Sequence, residues 1–420
     1  MWIALSITLI TLVLIMLRPK PLNEGTAAAI GACLMLISGR VLPEQLLAVL
    51  QDIAPILLFF LGLMLICVAA EKAGFFQWSA YQAVKLARGK GQLLFFTIFA
   101  LGTGITAFLS NDATALVLTP IVFTLVSRLK LNPLPYVFTC AFIANTASLL
   151  LPMSNPVNLL PFTAFHLTLG EYLRYLLLPS VVGIGVNMLI FRLLFRHEIS
   201  ADFKAGNLAY SSRDAFFKYT CLALGFIVVA YLAISFHGLP LFWAALGGGL
   251  LLIGGGLTLR RLRLSEIGSG ISWSILLFIF SLTVVVKGLE NSGFIAALGN
   301  ALAQSFPQES LTAITTVAVG NALGSNLINN WSIMMVSVSS LGLVNPLPAP
   351  SFIYAAILGA DLGPNLTIVG SLSSMLWLVI LRQRGLDISP RQYFRVGLIL
   401  TPPLLAASIG SLYLMTRLVC

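Results

Sequence analysis

Apolar segments long enough to cross a bilayer, about 20 residues each, recur along the whole of this 420-residue chain, and they constrain its fold more than any other feature. Hydrophobic residues make up 58% of the chain and charged residues only 9%, whereas soluble domains carry about a quarter charged residues. Water therefore cannot be the solvent for most of this surface. The sequence predicts an all-α polytopic membrane protein.

Two of the apolar segments are too long for a single helix, and each carries a polar interruption near its middle. The first, 92–127, is interrupted by Ser110–Asp112, and the second, 310–344, between Ser325 and Asn330. Each is expected to enter the membrane and return on the same side, as a re-entrant hairpin or a pair of helices. The ten remaining spans lie near 2–17, 25–41, 53–70, 134–165, 174–195, 219–236, 239–259, 271–287, 352–381 and 396–416.

The distribution of basic residues predicts how these spans are threaded. With ten full spans, two hairpins and an outside N-terminus, 20 of the 24 Lys and Arg residues lie in cytoplasmic loops. This bias follows the positive-inside rule and accounts for the net charge of +10 without a nucleic-acid partner. The threading places the chain in the bacterial inner membrane with both termini in the periplasm.

The two halves of the chain resemble each other. The corresponding pairs are Glu71–Phe75 with Glu290–Phe294, Asn111–Asp112 with Asn329–Asn330, and Asn145 with Asp361, at offsets of 219, 218 and 216. Each half holds five full spans and one hairpin, and an odd number of crossings turns the second copy upside down. Residues 1–205 and 206–420 are therefore predicted to be inverted repeats, which in secondary transporters place the substrate site near the midplane.

Two apolar spans contain signals for broken helices. Polar residues and prolines interrupt the stretch Ile143–Asn158, and Gly359–Ser371 carries a similar interruption. Proline removes a backbone donor, and backbone freed at membrane depth is tolerated only inside protein or beside a cavity. The alternative is an ordinary proline kink whose Asn and Ser side chains bond to neighbouring helices. Together with the hairpin tips, these segments predict the substrate-binding residues Ser110, Asn111, Asn145, Ser148, Ser154, Asn155, Asn326, Asn329, Asn330 and Thr367.

Asp112 and Asp361 are the clearest ionisable residues inside the apolar spans. An intramembrane carboxylate is costly and usually marks a proton or cation site, so both are predicted to couple transport to protons. The alternative role is capping of a half-helix, which is compatible with the first. The five cysteines form no C-x-x-C pair, and the chain has no phosphate-binding G-x-x-x-x-G-K-[ST] motif. No metal site, cofactor, ATP hydrolysis or enzymatic activity is expected.

At these segments the chain resembles the ArsB-type arsenite permeases of the ion transporter superfamily. The matching stretches are Ser110–Asp112, Leu118–Pro120, Ile143–Asn158, Asn329–Asn330, Gly359–Leu378, Gly74–Phe76 and Tyr393–Arg395. The resemblance implies efflux of arsenite and antimonite driven by proton exchange, sometimes assisted by a soluble ATPase subunit. It also implies a transport part, about 92–165 and 310–381, and a scaffold made of the remaining helices. Asn145 departs from relatives that often carry Asp at this position.

Arsenite chemistry agrees with the polar residues of the two centres. Near neutral pH arsenite is a small uncharged trihydroxide, which needs hydrogen-bond donors and acceptors and no counter-charge. No Lys or Arg lies in either polar centre, which disfavours an anion such as a dicarboxylate. The principal alternative is a sodium/proton antiporter of the same superfamily, since Asp112, Asp361 and unwound carbonyl groups would suit a cation. A receptor or structural anchor would not need paired polar interruptions.

The threading can be tested by labelling single cysteines introduced into the predicted loops. A cysteine at Ala205 is expected to react only from the cytoplasm, and one at Gln304 only from the periplasm. Labelling of both positions from the same side of the membrane would contradict the inverted-repeat topology.

Overall fold

A computed structural model describes residues 1–17, 22–203, 214–237, 239–305, 309–343 and 349–419. Its elements are helices and helical turns, and these described residues contain no strand. The α-helices in chain order are α1 Trp2–Leu17, α2 Glu24–Ile37, α3 Pro43–Lys72, α4 Phe75–Ala87, α5 Gly91–Phe108, α6 Asn111–Ala113, α7 Thr119–Arg128, α8 Leu134–Thr146, α9 Leu159–Ala164, α10 Leu169–Leu194, α11 Ala215–Phe236, α12 Phe242–Thr258, α13 Leu264–Gly270, α14 Trp273–Asn291, α15 Phe294–Ser305, α16 Leu311–Ile328, α17 Asn330–Gly342, α18 Pro350–Leu362, α19 Leu372–Gln383 and α20 Pro390–Val419.

The all-α polytopic class is confirmed. Within the described residues, seven helices are long and apolar enough to cross a membrane: α3, α5, α10, α11, α14, α16 and α20. Shorter apolar helices overlap the other predicted spans. Of these, α1, α2 and α12 are single helices, and α8 and α19 each belong to an interrupted segment. Every apolar span predicted from the sequence therefore contains at least one helix.

The predicted interruptions are confirmed at all four positions. The first hairpin breaks at Leu109 and Ser110, between α5 and α6, and continues through a π-helical turn into α7. The second breaks at Asn329, between α16 and α17. Short 3-10 turns replace regular helix between α8 and α9 and again between α18 and α19. The chain thus places four breaks in otherwise apolar surroundings.

The main helix pairs cross between the two halves of the chain. Helix α3 packs on α12, α2 packs on α14, and α10 packs on α20. Within each half, the first arm of the hairpin packs on the first piece of the broken helix, as α5 on α8 and α16 on α18. The boundary predicted at residues 205 and 206 lies outside the described residues.

In the charge-based threading, Lys72 and Glu266 fall in cytoplasmic loops, and Arg40 and Asn291 fall at the periplasmic ends of their spans. Contacts between the loops agree with this assignment. Lys72 and Glu266, both predicted to be cytoplasmic, form an ion pair of 2.7 Å. The side-chain amide of Asn291 donates to the carbonyl of Arg40 at 2.9 Å, and both residues were predicted to be periplasmic. Residues assigned to the same side of the membrane therefore meet at the same end of the molecule.

Close packing of α3 on α12 depends on glycine. A Cβ atom on Gly62 would lie 2.3 Å from the backbone carbon of Ala245, and one on Gly249 would lie 2.8 Å from the carbonyl oxygen of Gly62. Gly247, on the exposed face of α12, has open space around it. Small residues at such crossings let helix backbones approach each other inside a membrane.

The Gly62→Ala variant is expected to lose stability, because the added methyl group must push the α12 backbone away. Overpacking of this kind costs about 1–3 kcal/mol. Gly247→Ala is the matched control and should be neutral or slightly stabilising, since alanine is the better helix former. Thermal unfolding of the purified proteins in detergent measures both. Equal midpoints for the two variants would contradict the close contact.

Candidate functional site

The four interruptions come together at the centre of the molecule, and each is followed by a capped helix or turn. The capping side-chain oxygens each accept from a backbone N–H two or three residues later, and they belong to Ser110, Asn155, Asn329 and Ser371. Such caps satisfy N–H groups that a helix start leaves without a partner. Asn and Ser at these points therefore replace the water that an interrupted helix would otherwise need.

A small cavity, called the central cavity below, lies between these caps. Its lining residues are Phe60, Asn111, Asp112, Asn155, Pro156, Val157, Ile275, Phe278, Ile279, Asn329, Asn330, Trp331, Ser371, Leu372 and Ser373. Its volume of about 30 Å³ is roughly twice what one ordered water needs, so it admits only a solute of a few heavy atoms. Among the described residues that line it, Asp112 alone is charged, and the other polar groups are amides, hydroxyls and the indole N–H of Trp331.

Two features of the backbone make the central cavity suited to an oxygen-bearing solute. The N-termini of α17 and α19, helices of 13 and 12 residues, border it, and their dipoles favour electron-rich atoms. Asn329 adopts φ 74° and ψ 150°, a conformation that glycine accepts and other residues rarely adopt. Strain of this kind is held by surrounding structure and concentrates at binding sites.

Asp112 lies at the tip of the first hairpin, where it is half-buried. Its carboxylate accepts a hydrogen bond from the hydroxyl of Ser373, at the start of α19 in the other half of the chain. The tip of one half thus reaches the broken helix of the other. Because Asp112 also lines the central cavity, this carboxylate can contact a bound solute directly.

Asp361 lies away from the central cavity and has a different environment. It is 1% exposed, and its two oxygens accept from the amides of Asn155 at 2.6 Å and Asn158 at 2.9 Å. Asn158 also donates to the carbonyl of Ser148 at 3.0 Å. The Asp361 carboxylate therefore joins the broken helix of the second half to that of the first.

Asn145 makes the corresponding connection in the opposite direction. Its amide donates to Ser374 at 3.1 Å, and its oxygen accepts from Ser371 at 3.2 Å. Asn145, Asn155 and Asn158 are each 216 residues before Asp361, Ser371 and Ser374. We call these six residues, Asn145, Asn155, Asn158, Asp361, Ser371 and Ser374, the polar clasp. The two arms of the clasp have the same positions in the two halves, but only the Asp361 arm carries a charge.

The other predicted site residues bind backbone or each other. Ser148 donates to the carbonyl of Asn145 at 2.7 Å, and Ser154 donates to that of Ala107 at 2.9 Å. Thr367 donates to the Asn326 side chain at 2.6 Å. Asn326 in turn donates to the carbonyl of Gly363 at 2.8 Å, which joins the second hairpin to the second broken helix. These side chains hold the interruptions in place and do not line the central cavity.

Two larger cavities flank the site. One of about 180 Å³, the Glu71 cavity, extends from Glu71 and Gly270 to Ser110 and Asp112, and Cys67 also lines it. The other, the His166 cavity of about 150 Å³, is lined by α3, α9 and residues 239–242, and also by His166 and Leu167. The Glu71 cavity shares Asp112 with the central cavity, whereas the His166 cavity shares no lining residue with it.

The structure brings five of the predicted residues to the central cavity: Asn111, Asp112, Asn155, Asn329 and Asn330. Sequence reasoning missed Ser371, Ser373 and Trp331, which also line it. The 216-residue offset from Asn155 would have identified Ser371. Trp331 carried no signal beyond following the Asn329–Asn330 pair.

Comparison with known proteins supplies the family. A family model described as "Arsenical pump membrane protein" (ArsB) matches residues 3–416. The arsenical pump membrane protein of Escherichia coli strain K12 is 31% identical over 423 residues, covering 99% of both chains.

Solved transporters share the fold at lower identity. The YdaH transporter of Alcanivorax borkumensis superposes with a TM-score of 0.61 at 18% identity, covering 99% of this chain and 97% of its own. MtrF of Neisseria gonorrhoeae, titled as one of a class of antimetabolite efflux pumps, gives a TM-score of 0.54 at 14% identity, covering 98% of this chain and 94% of its own. At such identities the likeness is one of fold alone.

Removing the carboxylate of the polar clasp is expected to destabilise the protein more than removing the carboxylate at the cavity. In Asp361→Leu the buried amides of Asn155 and Asn158 lose their acceptor, and an unsatisfied buried donor costs about 1–3 kcal/mol. In Asp112→Leu only the Ser373 hydroxyl loses a partner of this kind, beside an open cavity. Thermal unfolding in detergent gives the comparison. A larger loss for Asp112→Leu would contradict the structural role of Asp361.

Proposed function

This chain belongs to the family of arsenical pump membrane proteins, and we propose that it exports trivalent arsenite and antimonite from the cytoplasm in exchange for protons. The observation that carries the proposal is the small central cavity, in which amides, hydroxyls and one carboxylate stand beside apolar side chains. It supports secondary transport of a small hydroxylated solute that moves through a membrane protein and undergoes no reaction there.

The substrate follows from the chemistry of the lining groups. Trivalent arsenite is an uncharged trihydroxide near neutral pH, so its oxygens accept hydrogen bonds and its hydroxyls donate them. Asn111, Asn329 and Asn330 offer amide groups, while Asp112 offers acceptors. A neutral solute needs no counter-charge, which agrees with a lining free of Lys and Arg.

Proton coupling is assigned to Asp112 and Asp361. Export of a neutral solute against its gradient requires a second flux, and a carboxylate that binds a proton in one state and releases it in another can supply it. Asp112 lies where the Glu71 cavity meets the central cavity, so water can reach it. Asp361, held by Asn155 and Asn158, would register protonation as a change in the polar clasp.

The proposed architecture is two inverted repeats in a bacterial inner membrane, with both termini in the periplasm. Two observations support this arrangement. Helix α3 corresponds to α14 and α12 corresponds to α2, so the pair α3–α12 has its counterpart in the pair α14–α2. The residues of the polar clasp also repeat at a single offset of 216. The hairpins and broken helices, about 92–165 and 310–381, would form the transport part against a scaffold of the other helices. Assistance by a soluble ATPase subunit stays a prediction of the family resemblance.

A sodium/proton antiporter is the second candidate, and one observation favours it. Asp112 is a lone carboxylate at a cavity, which suits a cation as well as a proton. Against it, the N-termini of α17 and α19 border the same cavity and disfavour positive charge. A dicarboxylate would lack a cationic partner there, so it is the least favoured.

Uptake of arsenite into everted membrane vesicles under an imposed pH gradient tests the function and its coupling. Wild-type protein is expected to accumulate arsenite, and Asp112→Asn and Asp361→Asn should each abolish the pH-driven part. Asparagine keeps the shape and cannot carry the proton. Near wild-type accumulation by both single variants and the double variant would contradict carboxylate coupling.

The same vesicles separate the candidate substrates. Sodium uptake without arsenite uptake would replace the proposed function with cation exchange, as would growth of a sensitive host on high sodium and not on arsenite. Arg395→Lys, on a residue that lines none of the three cavities, serves as a control for insertion and general handling.

A further inference from the structure

Two buried N–H groups at the central cavity lack a partner. Neither Nε1 of Trp331 nor Nδ2 of Asn329 has a hydrogen-bond acceptor among the described residues. The two side chains are 3% and 6% exposed, and both residues line the central cavity. Buried donors are satisfied in the great majority of cases, so two without partners beside one small cavity require an explanation.

The local geometry does not let the protein supply the missing acceptors by itself. The oxygen of the Asn329 side chain already accepts from the backbone N–H of Trp331 at 3.0 Å, which fixes the amide with its nitrogen as the free end. The indole ring of Trp331 lies edge-on to Phe60 of α3, with ring centroids 5.9 Å apart. Both side chains are therefore held by contacts that do not use these two N–H groups, which are buried at the wall of the central cavity.

Asp112, the charged residue of the cavity, has the opposite character. The carboxylate of Asp112 can accept further hydrogen bonds beyond the one from Ser373. A ligand that matches this cavity must offer oxygen acceptors to two donors and a hydroxyl donor to one carboxylate. A bare cation offers no acceptor, and the Asp112 carboxylate repels an anion.

We propose that Trp331 and Asn329 donate hydrogen bonds to two oxygens of bound arsenite, while Asp112 accepts from one of its hydroxyls. This inference rests on the proposed function and adds Trp331 as a substrate-binding residue. It assigns the indole N–H a role in recognition that is separate from the packing of the ring on Phe60. It also explains the strained backbone of Asn329, which places its amide and that of the next residue at the cavity.

The test is Trp331→Phe, which keeps an aromatic ring against Phe60 and removes the N–H. The matched control is Trp78→Phe. Nε1 of Trp78 also lacks a partner among the described residues, and its ring packs edge-on against Phe217 at 5.6 Å, but Trp78 lines none of the three cavities. Loss of one neutral hydrogen bond should raise KM for arsenite in everted vesicles about 3- to 10-fold in Trp331→Phe. Trp78→Phe should match the wild type.

A second measurement reports binding without transport. Arsenite added to the purified protein should change tryptophan fluorescence in the wild type and in Trp78→Phe, and the change should be largely lost in Trp331→Phe. If Trp331→Phe does not insert, Asn329→Gly removes the other donor at a backbone conformation that glycine accepts, and it should raise KM similarly.

The outcomes separate this inference from the proposed function. Equal KM and equal fluorescence responses in wild type, Trp331→Phe and Trp78→Phe would overturn the role of Trp331 and leave arsenite transport standing, with ordered water as the partner of the indole. A wild type that neither binds nor transports arsenite would overturn the proposed function and this inference with it.

Discussion

The need to satisfy backbone groups where helices are interrupted inside an apolar environment governs the centre of this protein. Four breaks expose N–H and C=O groups that lipid cannot bond, and unsatisfied groups of this kind cost several kcal/mol each. Side chains close to each break supply the bonds: Ser110 and Asn329 cap the second arms of the hairpins, and Asn155 and Ser371 cap the segments after the broken helices. Three of these four caps, Asn155, Asn329 and Ser371, also line the central cavity, and Ser110 lines the Glu71 cavity. Structure and recognition therefore share residues here.

The polar clasp adds a constraint on motion. Asp361 bonds to the first broken helix through Asn155 and Asn158, and Asn145 bonds to the second through Ser371 and Ser374. Breaking this network would leave several buried polar groups without partners at once, so the two broken helices are expected to move as one body. The arms differ in one respect: a carboxylate occupies one and an amide the other. Because the network has a single titratable position, binding of one proton at Asp361 can change the position of both broken helices together.

Much of this was accessible from the sequence, for identifiable reasons. The bilayer sets the length and apolar composition of a spanning helix, and both can be read directly from the sequence. The spanning helices and their breaks were therefore predicted correctly. Prolines such as Pro152 and Pro156 and the polar runs around them located the interruptions because few other contexts tolerate them in a membrane. Helices α4, α13 and α15 were not predicted, since short helices between the spans carry no spanning signal.

The sequence did not show which polar residues line the central cavity and which bond only to other parts of the protein. Asn326 and Thr367 resemble Asn329 and Asn330 in composition and setting, yet the former pair bonds across the second hairpin and broken helix while the latter lines the cavity. That difference depends on which way each side chain points after a break, and a hydrophobicity pattern holds no information on it. Trp331 is apolar by most scales, and only its unpartnered indole N–H beside the cavity identifies it.

The three cavities differ in which lining residues they share, and this bears on how the site is exposed to one side at a time. Phe59 and Phe60 are consecutive on α3, but Phe59 lines the His166 cavity whereas Phe60 lines both the central and the Glu71 cavities. The central cavity therefore shares no lining residue with the His166 cavity, whereas it shares Asp112 and Phe60 with the Glu71 cavity. The charge-based threading predicts that Glu71 lies at the cytoplasmic end, and on that prediction the Glu71 cavity would connect the proposed site to the cytoplasmic side. The contact between Phe60 and Trp331 joins α3 to the start of α17 at the wall of the central cavity. With Trp331 as a substrate ligand, as proposed above, occupancy of the site would be linked directly to the packing of α17 on α3.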